Sequence, residues 1–496
     1  MTTKLTVLEE PLLAFNGGFS TYCKQGLLDF GPSSASTDSH PSSIPVGIIG
    51  GKDLVFQFAK WLDSWESFIE SRSPTIRRKS FRRPKAINKR LFPDFPGAPA
   101  VFHLSFITEG QLQRTITAKD DAASAGLSEI DRTVNVYRNK ISELLDQASQ
   151  PPKVIVLLLR DNVTRRIGNY HQRLMHRVRT DPNQTDFFTD IDQMHVSIPH
   201  DTPLTRDLRS ALKCMAMSFR VPVQIVTQKV LTLDDPFAQN EATKVWNLST
   251  GMFYKAGCVP WTLRNMEDDT CFVGVSYYHM KTATSDTVRV AVAHLFANEY
   301  ECPVIKGREV AVDHEGKPVM DYKQALWLAE RIGEEYERLR GVKPRRVVMH
   351  KSWEYSPDEQ RAYLDFSRQN HLEFDAMLLV KSSLRVLRYS MWPVSRGSFI
   401  RQTESDAFLF TKGYVADLEV YPGVHIPAPI LATRVLGETD IEQLCNELLA
   451  LTKLNWNSAD YCGGLPLTLG FARHVGAVLR DHKEGDQWES KYCYYM

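Results

Sequence analysis

Two groups of residues in this chain have the types and spacing to do chemistry. Lys213 sits in RDLRSALKCMAMSF, whose apolar spacing predicts a helix feeding the strand VPVQIVTQ, which carries Gln224. Asn247 and Lys255 lie in ATKVWNLSTGMFYKAG, where a helix would set them about two turns apart on similar faces. The chain closes on the aromatic tail KYCYYM, where Met496 carries a free carboxylate. Two lysines, two amides and a carboxylate suit a terminal phosphate held through a bridging divalent ion. The lysines neutralise charge, the amides orient oxygens and the carboxylate completes the metal shell. Taken singly, a helical lysine is ordinarily a solvated charge and a strand glutamine an edge or core polar group.

The second group is defined by what stands in an apolar strand, CFVGVSYYHM. A metal-dependent nuclease strand of this kind needs an aspartate about where Ser276 sits, because two-metal cleavage takes a cluster of carboxylates around cations about 4 Å apart. The strand is either a catalytic one without its acid or an ordinary core strand with a polar end.

The elements that must position these residues follow from periodicity. PVGIIGG, Pro45 to Gly51, reads as a buried strand running into the helix LVFQFAKWLDSWESFI. PKVIVLLLRD and VPVQIVTQ read as further buried strands, and ATKVWNLSTGMFYKAG as a helix ended by Gly257. Residues from about 45 to 265 therefore predict an α/β unit with a parallel sheet. From Thr270 the pattern changes. CFVGVSYYHM and VRVAVAHLFA predict an antiparallel meander, followed by the helix YKQALWLAERIGEEYERLR with a stripe through Ala325, Leu328, Ile332, Tyr336 and Leu339. The strands RRVVMHKS and FDAMLLVKS and the helix IEQLCNELLALTKL complete an order that fits a ribonuclease H-like sheet. GPSSASTDSHPSSIP, Gly31 to Pro45, reads as a loop or linker.

Bulk properties narrow the function classes. The 496 residues predict two to four domains. A net charge of +1 confines any nucleic-acid surface to a local patch, for which the run Arg72 to Arg90 is the densest candidate beside its reading as a solvated loop. There is no apolar run long enough for a membrane span and no signal-peptide pattern, so a cytoplasmic location is expected. The eight cysteines form no CxxC pair, which points to buried reduced thiols and away from a zinc site.

Several segments resemble short prokaryotic Argonautes. They are VPVQIV after a basic helix, WNLSTGMFYKAGCVPW, ALTKLNWNSADYCGGLPLTLGFARHVG, the opening EPLLAF and GLLDFGP, LFPDFPG at 91 to 97, and the aromatic C-terminus. The resemblance implies α/β architecture: a Rossmann-like MID domain over 46–265, a ribonuclease H-like PIWI domain over 266–496, and an N-terminal segment over 1–45. It implies that Lys213, Gln224, Asn247 and Lys255 hold the 5′ phosphate of a guide. Gln224 and the Met496 carboxylate would share a non-catalytic Mg2+, and Arg209 would stack on the first guide base through its guanidinium plane. Gly251 departs from a fifth polar position seen in some relatives. The carboxylate positions of a cutting PIWI domain correspond to Ser276, Ser352 and Arg473, so this one is expected to bind and not cut; no fourth acid can be placed near 306 to 321.

The implied function is that of a sensor loaded with a small guide RNA that detects invading single-stranded DNA, such as plasmid DNA. It would activate a separate partner carrying an APAZ domain fused to an effector, either a TIR or sirtuin-like NADase or a nuclease. The signal would pass through a heterodimer that oligomerises on target binding. The alternatives are a guide-directed endonuclease with a degenerate metal site, and a plain α/β binding protein or enzyme in which Lys213 and Gln224 are incidental.

Overall fold

The computed structural model describes residues 5–37, 39–72, 88–122, 128–161, 163, 207–232, 239–264, 266, 269–281, 286–296, 303–314, 317–386, 393–422, 426–482 and 487–496, without the side chains of 121, 122, 279–281, 286, 287, 291 and 293–296. Most of the basic run Arg72 to Arg90, and Cys302, lie outside them.

The first sheet is parallel. Ser43–Gly51 pairs with Ser105–Ile107, Gln113–Ile116 and Val154–Leu159, and the last of these with Val223–Thr227. Val154–Leu159 is buried along its whole length, as expected of a strand covered on both faces. Ile155, Leu157 and Leu159 meet the helices Glu129–Gln147 and Leu208–Met217 on one face. Val154, Val156 and Leu158 meet Lys52–Ser64 and Glu241–Lys255 on the other.

The second sheet has ten strands and mixed direction. From one edge they run Leu5–Val7, Ser398–Arg401, Asp406–Leu409, Ile430–Leu436, Glu373–Lys381, Arg346–Lys351, Thr270–Lys281, Asp286–Phe296, Val304–Val312 and Pro318–Val319. Arg346–Lys351 is parallel to both its neighbours; the remaining pairs are antiparallel. Alternation divides the faces. Cys271, Val273 and Val275 pack under the helices Tyr322–Arg340 and Pro357–Asn370. Phe272 and Val348 belong to the opposite core, with Ile441–Leu451 and Leu467–Leu479.

That second core is continuous with the one beneath the parallel sheet, so the two sheets share an apolar interior. Two tryptophans lock it. Trp261 Nε1 donates to Lys453 O at 3.1 Å and Trp456 Nε1 donates back to Trp261 O at 3.0 Å. Trp456 also stacks on Tyr254. The opening segment is tied in by charge: Glu10 accepts from buried Arg396 and from Lys453.

The stretch Gly31 to Pro45 is more structured than a linker. Ser33–Ser36 forms a 3-10 turn whose Ser34 is buried and donates its backbone N–H to Val259 O, and the parallel strand already begins at Ser43. Serine and proline here serve a packed connection, because their backbone groups find partners in the neighbouring KAGCVPW segment. Among the described residues no helix is long and apolar enough to cross a membrane.

Candidate phosphate pocket and sheet-end site

The pocket assembles where the parallel sheet, the helix Glu241–Lys255 and the C-terminal tail meet. Asp207 caps Leu208–Met217 through its side chain, which starts the helix so that Arg209 and Lys213 fall one turn apart. Asn240 caps Glu241–Lys255 in the same way, and Gly257, with φ of 90°, lets the chain turn away after Lys255. Lys255 is 4% exposed, and its Nζ donates to Gln224 Oε1 at 2.5 Å. Lys213 Nζ donates to the backbone carbonyl of Tyr495 at 3.0 Å. The helix end, the strand and the tail therefore converge.

Electrostatics sharpens the picture. Burial, then the nearby Arg209 guanidinium, push the Lys213 ammonium down to about 8. Lys255 is held well below the ordinary lysine value by burial, and Lys213 depresses it further. Cations brought this close destabilise each other, and an anion placed among them would relieve the strain. Arg209 is itself exposed on the first turn of its helix, open to a ligand.

Asn247 and Gly251 point elsewhere. Asn247 Oδ1 accepts from the backbone N–H of Ala459 at 3.0 Å, and a Cβ at Gly251 would meet Asn457 O. These two positions join the helix to the LTKLNWNSAD loop, and Lys255 alone of that row reaches Gln224.

The tail is anchored independently of Lys213. Tyr492 stacks on Phe471, and its hydroxyl hydrogen-bonds His474 Nδ1 at 2.9 Å. Val304 donates its N–H to Ser490 O, Tyr494 Oη donates to Arg220 O, and Met496 is buried. His474 is pushed down to about 4, first by burial and then by Lys213 and Arg473. Sequence reading missed His474 and Phe471, although both lie in the quoted LTLGFARHVG. The signal was the helical spacing of Phe471, Val475 and Val478.

The second site lies across the same helix. Gly274 lets Leu467–Leu479 approach so closely that a Cβ would collide with Thr468 O. Two residues on, Ser276 is 7% exposed and its hydroxyl donates to Ala472 O at 2.8 Å. Gly274 pairs with His350 and Val275 with Lys351, so Ser352 follows one residue past the ladder, beside Ser276. Arg473 follows Ala472. Ser276 and Ser352 thus lie side by side at one sheet end, with the Ala472 backbone of the third segment against Ser276. His350 is fully buried, bonded to Thr468 and pushed down to about 3 by burial. Lys351 faces the other way and is paired with buried Glu359. Among the described residues no group of three or more His, Cys, Asp or Glu is placed to hold a metal ion.

No protein-family model matches the chain. It is 24% identical over 283 residues to the Argonaute protein of Aquifex aeolicus (strain VF5), a match that spans 56% of this chain and 36% of the relative. Its fold is similar to Clostridium butyricum Argonaute bound to a guide DNA and a 19-mer target DNA, with a TM-score of 0.64 at 13% identity, covering 98% of this chain and 54% of that one. It is also similar to A. aeolicus Argonaute, at a TM-score of 0.57 and 14% identity over 100% and 56% of the two chains. Marinitoga piezophila Argonaute in complex with 5′ OH guide RNA gives a TM-score of 0.55 at 12% identity, over 99% and 59%. The mixed α/β architecture matches that of the MID and PIWI parts of Argonautes. The chain is Argonaute-like in fold and in sequence, and it spans about a third of the curated relative and just over half of the solved structures it matches.

Proposed function

We propose that this protein loads a small guide RNA by its 5′ phosphate and uses it to detect complementary single-stranded DNA without cutting it. The observation that carries this reading is the meeting of buried Lys255, Gln224 and Lys213 with the C-terminal tail. Their crowded positive charge asks for an anion. Arg209, open at the first turn beside Lys213, would stack on the first base; Asn247 supports the pocket by fixing the helix to the Ala459 loop. In this reading residues 46–265 form the guide-phosphate half, 266–496 the duplex-holding half, and 1–45 an N-terminal segment.

Magnesium at the phosphate suits the donors at hand. Gln224 Oε1 and the Met496 carboxylate are hard oxygens, but Gln224 Oε1 is engaged by Lys255, so an ion would need the guide phosphate as its principal ligand. It would neutralise charge there and take no part in cleavage. Ser276, Ser352 and Arg473 offer a metal two neutral hydroxyls and a cation, which favours binding over catalysis.

The output then belongs to a partner: an APAZ-containing protein carrying a TIR or sirtuin-like NADase, or a nuclease. It would be activated in a heterodimer that oligomerises on target binding, in a cytoplasmic defence against plasmids and other invaders. Sequencing the nucleic acid that co-purifies from the host tests this directly. Short 5′-phosphorylated RNA is expected; protein free of nucleic acid that also binds no 5′-phosphorylated oligonucleotide overturns it. Cleavage of a matched target in magnesium or manganese would instead favour the endonuclease.

A further inference from the structure

We propose that Cys462 is a peroxide-sensitive modification site, where the sulfur is oxidised to a sulfenic acid held among Arg396, Lys453 and the hydroxyl of Tyr461. It stands apart from the guide-binding reading and does not rest on it.

The place is the buried clasp that ties the opening segment to the larger sheet. Arg396 Nε donates to the two Glu10 carboxylate oxygens at 2.9 and 3.0 Å, and Lys453 Nζ donates to Glu10 Oε1 at 2.8 Å. Arg396 also donates to Thr452 Oγ1 at 2.8 Å and to the carbonyls of Leu449 and Thr411. Thr411 O accepts from Cys462 Sγ as well, at 3.8 Å, so the thiol and the guanidinium share one acceptor. Lys453 Nζ lies 3.4 Å from the centre of the Tyr461 ring, in the residue before Cys462.

Access, charge and an idle donor set this thiol apart. Among the described cysteines only Cys462 and Cys493 are half-buried, and the rest are buried. Around Cys462 two buried cations share one hydrogen-bonded carboxylate, so negative charge gained at sulfur meets cations that Glu10 alone does not neutralise. Tyr461 is 3% exposed and its hydroxyl has no hydrogen-bond partner, although it lies within electrostatic reach of Glu10, Arg396, Asp417 and Cys462. A buried hydroxyl left unpaired costs free energy, and an oxygen added to the neighbouring sulfur would give it an acceptor. Cys493 has no such surroundings, and burial pushes its thiol up to about 12.

In the reaction the Cys462 sulfur attacks one oxygen of hydrogen peroxide. The O–O bond breaks as an S–O bond forms, and the displaced oxygen takes the thiol proton and leaves as water. Sulfur is oxidised and peroxide reduced, with no other reactant. Cys23 Sγ is turned to Ala459 O and Asp460 O, whereas Cys462 Sγ is turned to Thr411 O, which favours a retained sulfenic acid over a disulfide between them.

The test treats the purified full chain with hydrogen peroxide in the presence of dimedone, which labels sulfenic acids, and reads each cysteine by peptide mass spectrometry. Cys462 is expected to label about tenfold faster than Cys493, and dithiothreitol added before dimedone should remove the signal. Tyr461→Phe should slow labelling of Cys462 about threefold without lowering the melting temperature, because the hydroxyl has no partner to lose. Glu10→Gln leaves the two cations without their carboxylate and should speed labelling about threefold. Labelling of Cys462 no faster than that of Cys493 overturns the proposal. So does an unaltered rate in folded Tyr461→Phe, or a slower one in folded Glu10→Gln.

Discussion

Lys255 and Gln224 share a hydrogen bond of 2.5 Å in which a buried ammonium donates to an amide oxygen near the start of a parallel strand. The bond satisfies one of three ammonium protons and supplies no countercharge. A buried cation held only by a neutral acceptor costs free energy unless an anion completes its shell.

Replacing Lys255 or Lys213 by alanine should therefore separate binding from stability. Each change removes a charge-assisted contact of about 1.5–3 kcal/mol, so affinity for a 5′-phosphorylated guide should fall about tenfold or more. A 5′-hydroxyl oligonucleotide should be affected much less. Fluorescence anisotropy with both ligands reads the difference, and equal losses would remove the phosphate assignment. Thermal stability of the guide-free protein should hold or rise, because a strained charge has gone.

The lysine shifts predict opposite pH trends for stability and binding. Lys213 is lowered to about 8 in the folded chain, so between there and the unfolded lysine value the unfolded state binds more protons. Stability of the guide-free protein from this group should rise with pH across that window. Guide affinity should fall over the same range, as Lys213 loses its charge. Denaturant titrations and guide binding at pH 7.5, 8.5 and 9.5 (round experimental settings about the folded and unfolded values) check both signs.

Tyr492 should prove to be the anchor of the tail. Removing its ring in Tyr492→Ala deletes the stack on Phe471 and the bond to His474, at a cost of about 3–5 kcal/mol for a buried aromatic. The expected results are a lower melting temperature and weaker loading of a 5′-phosphorylated guide, since Tyr495 O no longer holds Lys213 in place. Tyr492→Phe should keep most of the stability, having lost only the hydrogen bond.

Ser276→Asp with Ser352→Asp would put two carboxylates on neighbouring strands. Ser276 faces Ala472 O, so the double variant should be less stable without metal, because an ionised acid there meets a carbonyl oxygen. Manganese should raise its melting temperature in a concentration-dependent way, with no such rise in the unaltered protein. A variant indifferent to manganese would show that Ser276 and Ser352 do not face one site.

Much of the fold was legible in the residues. The stripe Ala325, Leu328, Ile332 and Tyr336 is buried as its spacing requires, and the meander beginning at Cys271 pairs as expected. The strands Ser398–Arg401, Asp406–Leu409 and Ile430–Leu436 and the helix Pro357–Asn370 were not legible, because they are short or strongly polar and their partners lie far along the chain. Leu5–Val7 reads as an isolated short strand until Ser398–Arg401 pairs with it.

For the candidate sites the division is physical. Residue type and local period alone determined that Lys213 and Lys255 ride on helices, that Gln224 lies in a buried strand, and that Ser276 occupies a strand position where an acid is absent. Tertiary structure decided the rest. Packing of Glu241–Lys255 against both sheets set Lys255 on Gln224 and turned Asn247 toward Ala459. Close approach over Gly274 set the backbone of Leu467–Leu479, at Ala472, against Ser276. Those contacts depend on long-range burial and sheet register, and local sequence periodicity contains neither.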